Sequence, residues 1–286
     1  MKSILELDQV VNSVPLENLL IIDCMNFAFR FKQRGSTDFA VDFLKTIDSF
    51  ASSYGAREVI LTADLKYSKY RKNIDPGYKE GRKAKYVTQT EEEKEQVKLF
   101  FEGYEKALEL AATKYSLIRL EYVEADDLAA YLVRELSSSF EHTWLISSDA
   151  DWDLLLADNV SRFSFITRKE YINECFYDDH SCDSAEQFLS IKVLQGDTGD
   201  SIPGVEGVGI KRAYNLVREY GSAFDIHDQI PLEGSQKFIQ NINASADLIL
   251  KNYKLIDLVS FCEDAIAFPC LKNIKTMETF CAKYRS

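Results

Sequence analysis

The sequence predicts an α/β fold, a mostly parallel central sheet flanked by helices, on three observations. Short runs dense in Leu, Ile and Val alternate with stretches of helical periodicity, the pattern of a doubly wound sheet. Three of those runs end in aspartate: NLLIID at Asp23, REVILTAD at Asp64 and TWLISSDAD at Asp149 and Asp151. The carboxyl ends of parallel strands share one edge, where ligands bind, so these acids are expected to converge.

Taken in order, a short amphipathic start precedes a strand over 19–23, a helix over roughly 37–54 and a strand over 57–63. A basic insertion over 66–86 leads to helices near 91–114, a strand over 117–121, a helix over 125–138 and a strand over 142–148. Shorter strands are expected around 160–166 and 171–176, and from about 185 the pattern turns helical. Thr90 stands three residues before Glu93, the spacing of a capping box, and Val97, Phe100, Phe101, Tyr104 and Leu108 then recur on one helical face.

The 286 residues are 46% hydrophobic, enough for a substantial core. The six cysteines include no C-x-x-C pair and the three histidines are scattered, which argues against a zinc site or disulfide framework and for reduced, mostly buried thiols. No signal-peptide pattern opens the chain and no apolar run reaches the ~20 residues of a membrane span, so a cytoplasmic protein with no membrane partner is expected, most simply a monomer. A net charge of −12 would argue against a polyanionic partner, but the average hides a local reversal. Between Lys66 and Lys85 eight Lys or Arg face only Asp75 and Glu80. Tyr67, Tyr70, Tyr78 and Tyr86 interleave with these cations, a combination that holds single strands by phosphate attraction and base stacking. A solvated charged loop is the plainer alternative.

Two further segments add acids: Glu124, Asp126 and Asp127 at the start of EADDLAAYLVREL, and Asp197 and Asp200 in LQGDTGDSIPG. Each acid alone could be a helix cap or a turn residue. Five segments delivering acids to one rim are better explained by a carboxylate-only site for divalent cations, because crowded carboxylates raise one another's pKa. Oxygen-only ligands favour Mg²⁺ or Mn²⁺, and two such ions suit in-line displacement at phosphorus. Lys79 or Arg82, swung in from the insertion, would stabilise charge developing on the phosphate. In IPGVEGVGIKRAYNLVREYG, Gly204, Gly207 and Gly209 precede Lys211, Arg212 and a helix, a candidate backbone grip on phosphate. Two rivals stay in view. D-x-D after a strand also marks haloacid-dehalogenase-like phosphatases, in which Asp149 would be a covalent nucleophile, and a non-catalytic DNA-junction binder would keep the basic insertion and glycine turn.

The motifs LLIIDCMNFAFRFK, the Asp64 segment, PGYKEGR, VEADDLAAY, LISSDADWDLL and GDTGDSIPGVEGVGIKRA stand in this order. On them the chain resembles the flap endonuclease and 5′-3′ exonuclease family over roughly 17–265, most closely its free-standing bacteriophage-type members. The resemblance implies a PIN-like nuclease core over 1–184, with a helical arch at about 66–112. It implies a helical DNA-binding region over 185–286, with a helix-three-turn-helix at about 190–222. It also implies structure-specific hydrolysis of DNA at 5′ flaps, 5′ ends and single-strand/duplex junctions, RNA-primed ends among them, by two Mg²⁺ ions for which Mn²⁺ substitutes, as in DNA replication. One metal group would comprise Asp23, Asp64, Glu124 and Asp126, with Asp127 beside it, and the other Asp149, Asp151, Asp197 and Asp200. Lys79 and Arg82 match catalytic arch cations and Tyr78 an adjacent stacking position. Arg30, Lys32 and Lys192 match DNA contacts near the site, and Lys211 and Arg212 fall in the duplex-binding hairpin, where a monovalent cation is a further possibility.

Overall fold

A computed structural model describes residues 17–284; the expected amphipathic start lies outside them. Six strands form one sheet in the order β3-β2-β1-β4-β5-β6. These are β1 (Asn18–Asp23), β2 (Ala56–Thr62), β3 (Ser116–Ile118), β4 (Thr143–Ile146), β5 (Val160–Ser164) and β6 (Lys169–Tyr171). The first five run parallel and β6 returns antiparallel on β5. The mostly parallel sheet expected from the sequence is present.

Central β1 is continuous hydrophobe because both its faces are covered. Leu19 and Ile21 pack on one side with Ile60, Leu145 and the helix Ala125–Leu136. Leu20 and Ile22 pack on the other with Leu61, Ile146 and a cluster of phenylalanines, Phe27, Phe31, Phe39 and Phe43. The helices, in chain order, are α1 (Cys24–Lys32), α2 (Ala40–Ser53), α3 (Lys69–Ile74), α4 (Glu80–Val87), α5 (Glu91–Ala112), α6 (Ala125–Leu136), α7 (Phe176–His180) and α8 (Ala185–Gln195). They continue with α9 (Ile210–Tyr220), α10 (Ala223–Asp228), α11 (Lys237–Asn243), α12 (Ala246–Ile256), α13 (Leu258–Ala267) and α14 (Leu271–Cys281).

The capping box forms: Thr90 Oγ1 accepts from Glu93 N while Glu93 Oε2 accepts from Thr90 N. The stripe of α5 is Phe100, Tyr104, Ala107, Leu108 and Ala111, whereas Phe101 turns outward and is 43% exposed. Two strands differ from expectation. β3 stops at Ile118, because Arg119 turns to donate to the Asp64 carbonyl and to pair with Glu105, and the chain then makes only a single bridge, Glu121 to Leu65. β6 begins at Lys169 rather than near 171, because a short turn closed by left-handed Arg168 (φ 56°) folds the chain back early, and Asn173–Cys175 is a helical turn. Cys24, Cys182, Cys262 and Cys281 are buried free thiols.

Candidate active site

The strand ends bring the acids together. A pocket at the carboxyl edge is lined by Asp23, Asp64, Asp126 and Asp149, with Met25, Asn26 and Phe29 from α1 and Lys79 and Arg82 from the basic insertion. Capping and site formation coincide here. Asp23 caps α1 by accepting from Asn26 N (3.0 Å) and also accepts from Ser147 Oγ (3.0 Å). Asp149 accepts from Asp151 N (3.0 Å), and Asp64 accepts from Ala125 N (2.7 Å) at the start of α6. Each carboxylate keeps unused lone pairs, so these bonds fix its orientation without exhausting it. Asp126 is set by the indole N–H of buried Trp152 at 2.7 Å.

Burial, reinforced by Asp64 and Asp149, pushes Asp23 up to about 7. Burial and Asp149 hold Asp126 well above its ordinary range, and burial and Glu124 raise Asp64. A pocket of oxygen donors whose ionised forms are this disfavoured fits a hard cation, which would neutralise them. Among the described residues no three Asp, Glu, His or Cys side chains close around an ion by themselves. Water and substrate oxygens would complete the shell, as is usual for Mg²⁺.

The acids of the two expected metal groups share one rim, each with its own partners. Asp149 lies close enough to Asp23 and Asp126 to raise both, while also accepting from Asp151 N and raising Asp151. Glu124 is pulled toward the basic insertion, accepting from Lys79 Nζ (2.7 Å), Tyr78 Oη (3.0 Å) and Arg71 (3.1 Å). Although burial alone would raise its pKa, the Lys79 and Arg71 cations hold Glu124 below its ordinary value. Asp200 accepts from Tyr78 Oη (3.0 Å) and Arg82 (2.7 Å). Asp151 and Asp197 both pair with Lys192, the latter at 3.3 Å.

Several candidate residues stand elsewhere than the sequence suggested. Asp127 is gripped by Arg71 through two bonds and does not line the pocket. Tyr78 is 3% exposed with its hydroxyl between Glu124 and Asp200, so it offers no stacking face, and Tyr70 is likewise buried. Lys192 is engaged by acids. Gly204 serves packing, since a Cβ there would lie 1.9 Å from Gln195 O, and Gly207 serves a left-handed turn (φ +80°). Gly209, at the start of α9, has open space around it. Lys211 is exposed, whereas Arg212 donates to Gly207 O (2.5 Å) and lies over the Phe238 ring. Arg30 and Lys32 sit in the last turn of α1, Lys32 over the Phe29 and Phe100 rings, and Arg30 is close enough to Arg34 and Arg168 to feel their charge. Ser147, Trp152 and Arg71 organise the site without a local sequence signal, because their partners are remote in the chain.

Residues 18–182 match the family model for the 5′-3′ exonuclease, N-terminal resolvase-like domain, and residues 184–276 match that for the 5′-3′ exonuclease, C-terminal SAM fold. The flap endonuclease of Escherichia phage T5 is 49% identical over 251 residues, spanning 87% of this chain and 86% of its own. A phage T5 protein co-crystallised with metal ions superposes with a TM-score of 0.90 at 45% identity, over 94% of this chain and 100% of that one. The T5 flap endonuclease in a pseudo-enzyme-product complex with DNA and metal ions gives 0.91 at 46% identity, over 93% and 98% of the two chains.

Proposed function

The chain belongs to the 5′-3′ exonuclease family, and from that premise we propose how its own residues hydrolyse DNA phosphodiesters at 5′ flaps and 5′ ends. The observation that carries the reading is the pocket in which Asp23, Asp64, Asp126 and Asp149 face Lys79 and Arg82. Family membership and this pocket set aside the phosphatase and the passive junction binder.

Divalent cations held by these carboxylates, in our assignment two Mg²⁺ with Mn²⁺ able to substitute, would supply charge neutralisation and an activated water. Lys79, only 18% exposed and poised on Glu124, would turn to the scissile phosphate and stabilise its developing charge. Arg82, 63% exposed and paired with Asp200, would clamp a non-bridging oxygen. Lys192 would hold Asp151 and Asp197 in place rather than touch DNA. We assign residues 1–184, with the arch at about 66–112, to the chemistry. We assign 185–286, with the helix-three-turn-helix at about 190–222, to the duplex, where Lys211 and the open start of α9 face phosphate. The carbonyls of Glu206 and Gly207 already accept from Asn241 and Arg212, so a monovalent cation there would have to share them. Removal of flaps or primers during replication is the setting this activity fits.

The test is cleavage of an end-labelled 5′-flap duplex in Mg²⁺, in EDTA and with an Asp149→Asn protein. Incision near the junction that vanishes in EDTA and in the variant is expected. Tight binding without a cut in either Mg²⁺ or Mn²⁺ would overturn the mechanism.

A further inference from the structure

The Pro76–Glu80 turn is a wall between two cavities. Lys79 lines the carboxylate pocket, whereas Pro76 and Glu80 line a second cavity of about 410 Å³ together with Tyr67 and Lys72. Two non-glycine residues beside it hold left-handed backbone, Lys66 (φ 73°) and Tyr122 (φ 67°), an uncommon state for a lysine and an outlier for a bulky aromatic. They flank the bridge between Leu65 and Glu121 and are locked there by Tyr122 N donating to Leu65 O and Lys69 N donating to Tyr122 O.

The result is an aromatic pair ringed by ammonium groups. Tyr67 meets Tyr122 edge to face at 5.2 Å, and Tyr67 is 59% exposed. Lys66 Nζ lies 4.8 Å and Lys69 Nζ 5.7 Å from the Tyr122 ring centre. Lys66 is answered by Glu121 and Lys72 donates to the Pro76 carbonyl, but Lys69 has no acidic partner among the described residues. An exposed aromatic ring beside a lysine with no acidic partner is what sequence-independent single-strand sites are made of, because every base has a face to stack and every nucleotide carries a phosphate; here the ring is Tyr67, backed by half-buried Tyr122, and the lysine is Lys69. On the nuclease reading, a strand entering the carboxylate pocket at the junction would reach this cavity by continuing past the Pro76–Glu80 wall, which suits the unpaired 5′ strand.

We propose that Tyr67, Tyr122 and Lys69 form a subsite for the unpaired 5′ strand on the outer side of that wall. The inference rests on the nuclease reading for the identity of the strand. Its test is binding without divalent cations, so that cleavage plays no part. Duplexes carrying a one-nucleotide 5′ flap and a flap of about twelve nucleotides, within the site sizes of single-strand binders, are titrated with wild type, with Tyr67→Ala, and with Tyr67→Ala combined with Tyr122→Gly. Glycine removes the ring while relaxing the left-handed backbone, so the double variant should fold. The expected result is an affinity loss of about five- to tenfold for the long flap, consistent with lost base stacking, and less than about twofold for the short one. Equal loss on both flaps, or none on either, would overturn the subsite. A 5-iodouracil placed along the long flap should crosslink to Tyr67 or Tyr122 under light, and adducts found only at other residues would also overturn it. Cleavage of the one-nucleotide flap by wild type in Mg²⁺ reports separately on the nuclease reading.

Discussion

Arg71 grips Asp127 with both ends of its guanidinium, NH1 to Oδ2 at 2.6 Å and NH2 to Oδ1 at 2.8 Å, and all of this is buried. The same group reaches Glu124 at 3.1 Å and donates from Nε to Leu255 O at 3.0 Å. One side chain thus ties α3 at the base of the basic insertion to the start of α6 and to α12. Arg71→Met should cost about 3–5 kcal/mol, because it strands buried carboxylates. Combining it with Asp127→Leu should recover part of the loss, since an apolar pair leaves no stranded charge between those two positions. Urea unfolding of the single and double variants decides the matter, and a double variant no more stable than the single would refute the coupling.

Lys79 is held between Glu124 and Asp200, whose carboxylates keep it charged against the effect of burial. Its predicted part is in the reaction, not in holding DNA. Lys79→Ala should lower the cleavage rate by about 10²-fold or more while flap-duplex affinity changes by only a few-fold. Single-turnover rates beside equilibrium binding check this, and parallel losses in both would remove Lys79 from the reacting phosphate.

The sheet and the converging acids were legible in the sequence because both depend on local pattern: apolar runs make strands, and a strand's end fixes where its last residue lies. What could not be read was which partner each charged side chain would find across the fold. Arg71 counted as one more cation in a charged insertion, yet it is a buried anchor joined to residues as far along the chain as Leu255. Tyr78 and Lys192 read from the sequence as DNA contacts; in the fold the Tyr78 hydroxyl donates to Glu124 and Asp200, and Lys192 pairs with Asp151 and Asp197, partners that no local pattern announces. Asp127 sits one residue from Asp126, but consecutive helical positions point in different directions, so one carboxylate enters the pocket and the other meets Arg71.

The two cations of the glycine hairpin should behave differently. Lys211 is exposed, so Lys211→Ala is expected to weaken duplex binding uniformly and to reduce the slope of log K against log salt by about 1. Arg212 spends part of its guanidinium on Gly207 O and on the Phe238 face, so Arg212→Ala should also lower thermal stability. Anisotropy titrations at several salt concentrations, with melting curves, separate the two. An unchanged salt slope in Lys211→Ala would show that this residue does not meet phosphate.

Asp23 links metal binding to pH. Its carboxyl is pushed from 3.8 up to about 7, chiefly by burial, and Asp64, Asp126 and Asp151 shift in the same direction. Between those two values the folded chain holds protons that the unfolded chain has released, so the metal-free protein should lose stability as pH rises through about 4 to 7. Glu124, Asp197 and Asp75 shift the opposite way, so their contributions are present above their unfolded values and are lost at more acidic pH. A cation that binds the ionised carboxylates relieves the first effect, and it has more to relieve where they would otherwise be forced to ionise. Mn²⁺ should therefore raise the Tm more at pH 7.5 than at pH 5, relative to EDTA. Melting curves at both pH values test it, and a metal-free Tm that climbs steadily from pH 5 to 7, with no greater Mn²⁺ effect at the higher pH, would dissociate the carboxylate pocket from cation binding.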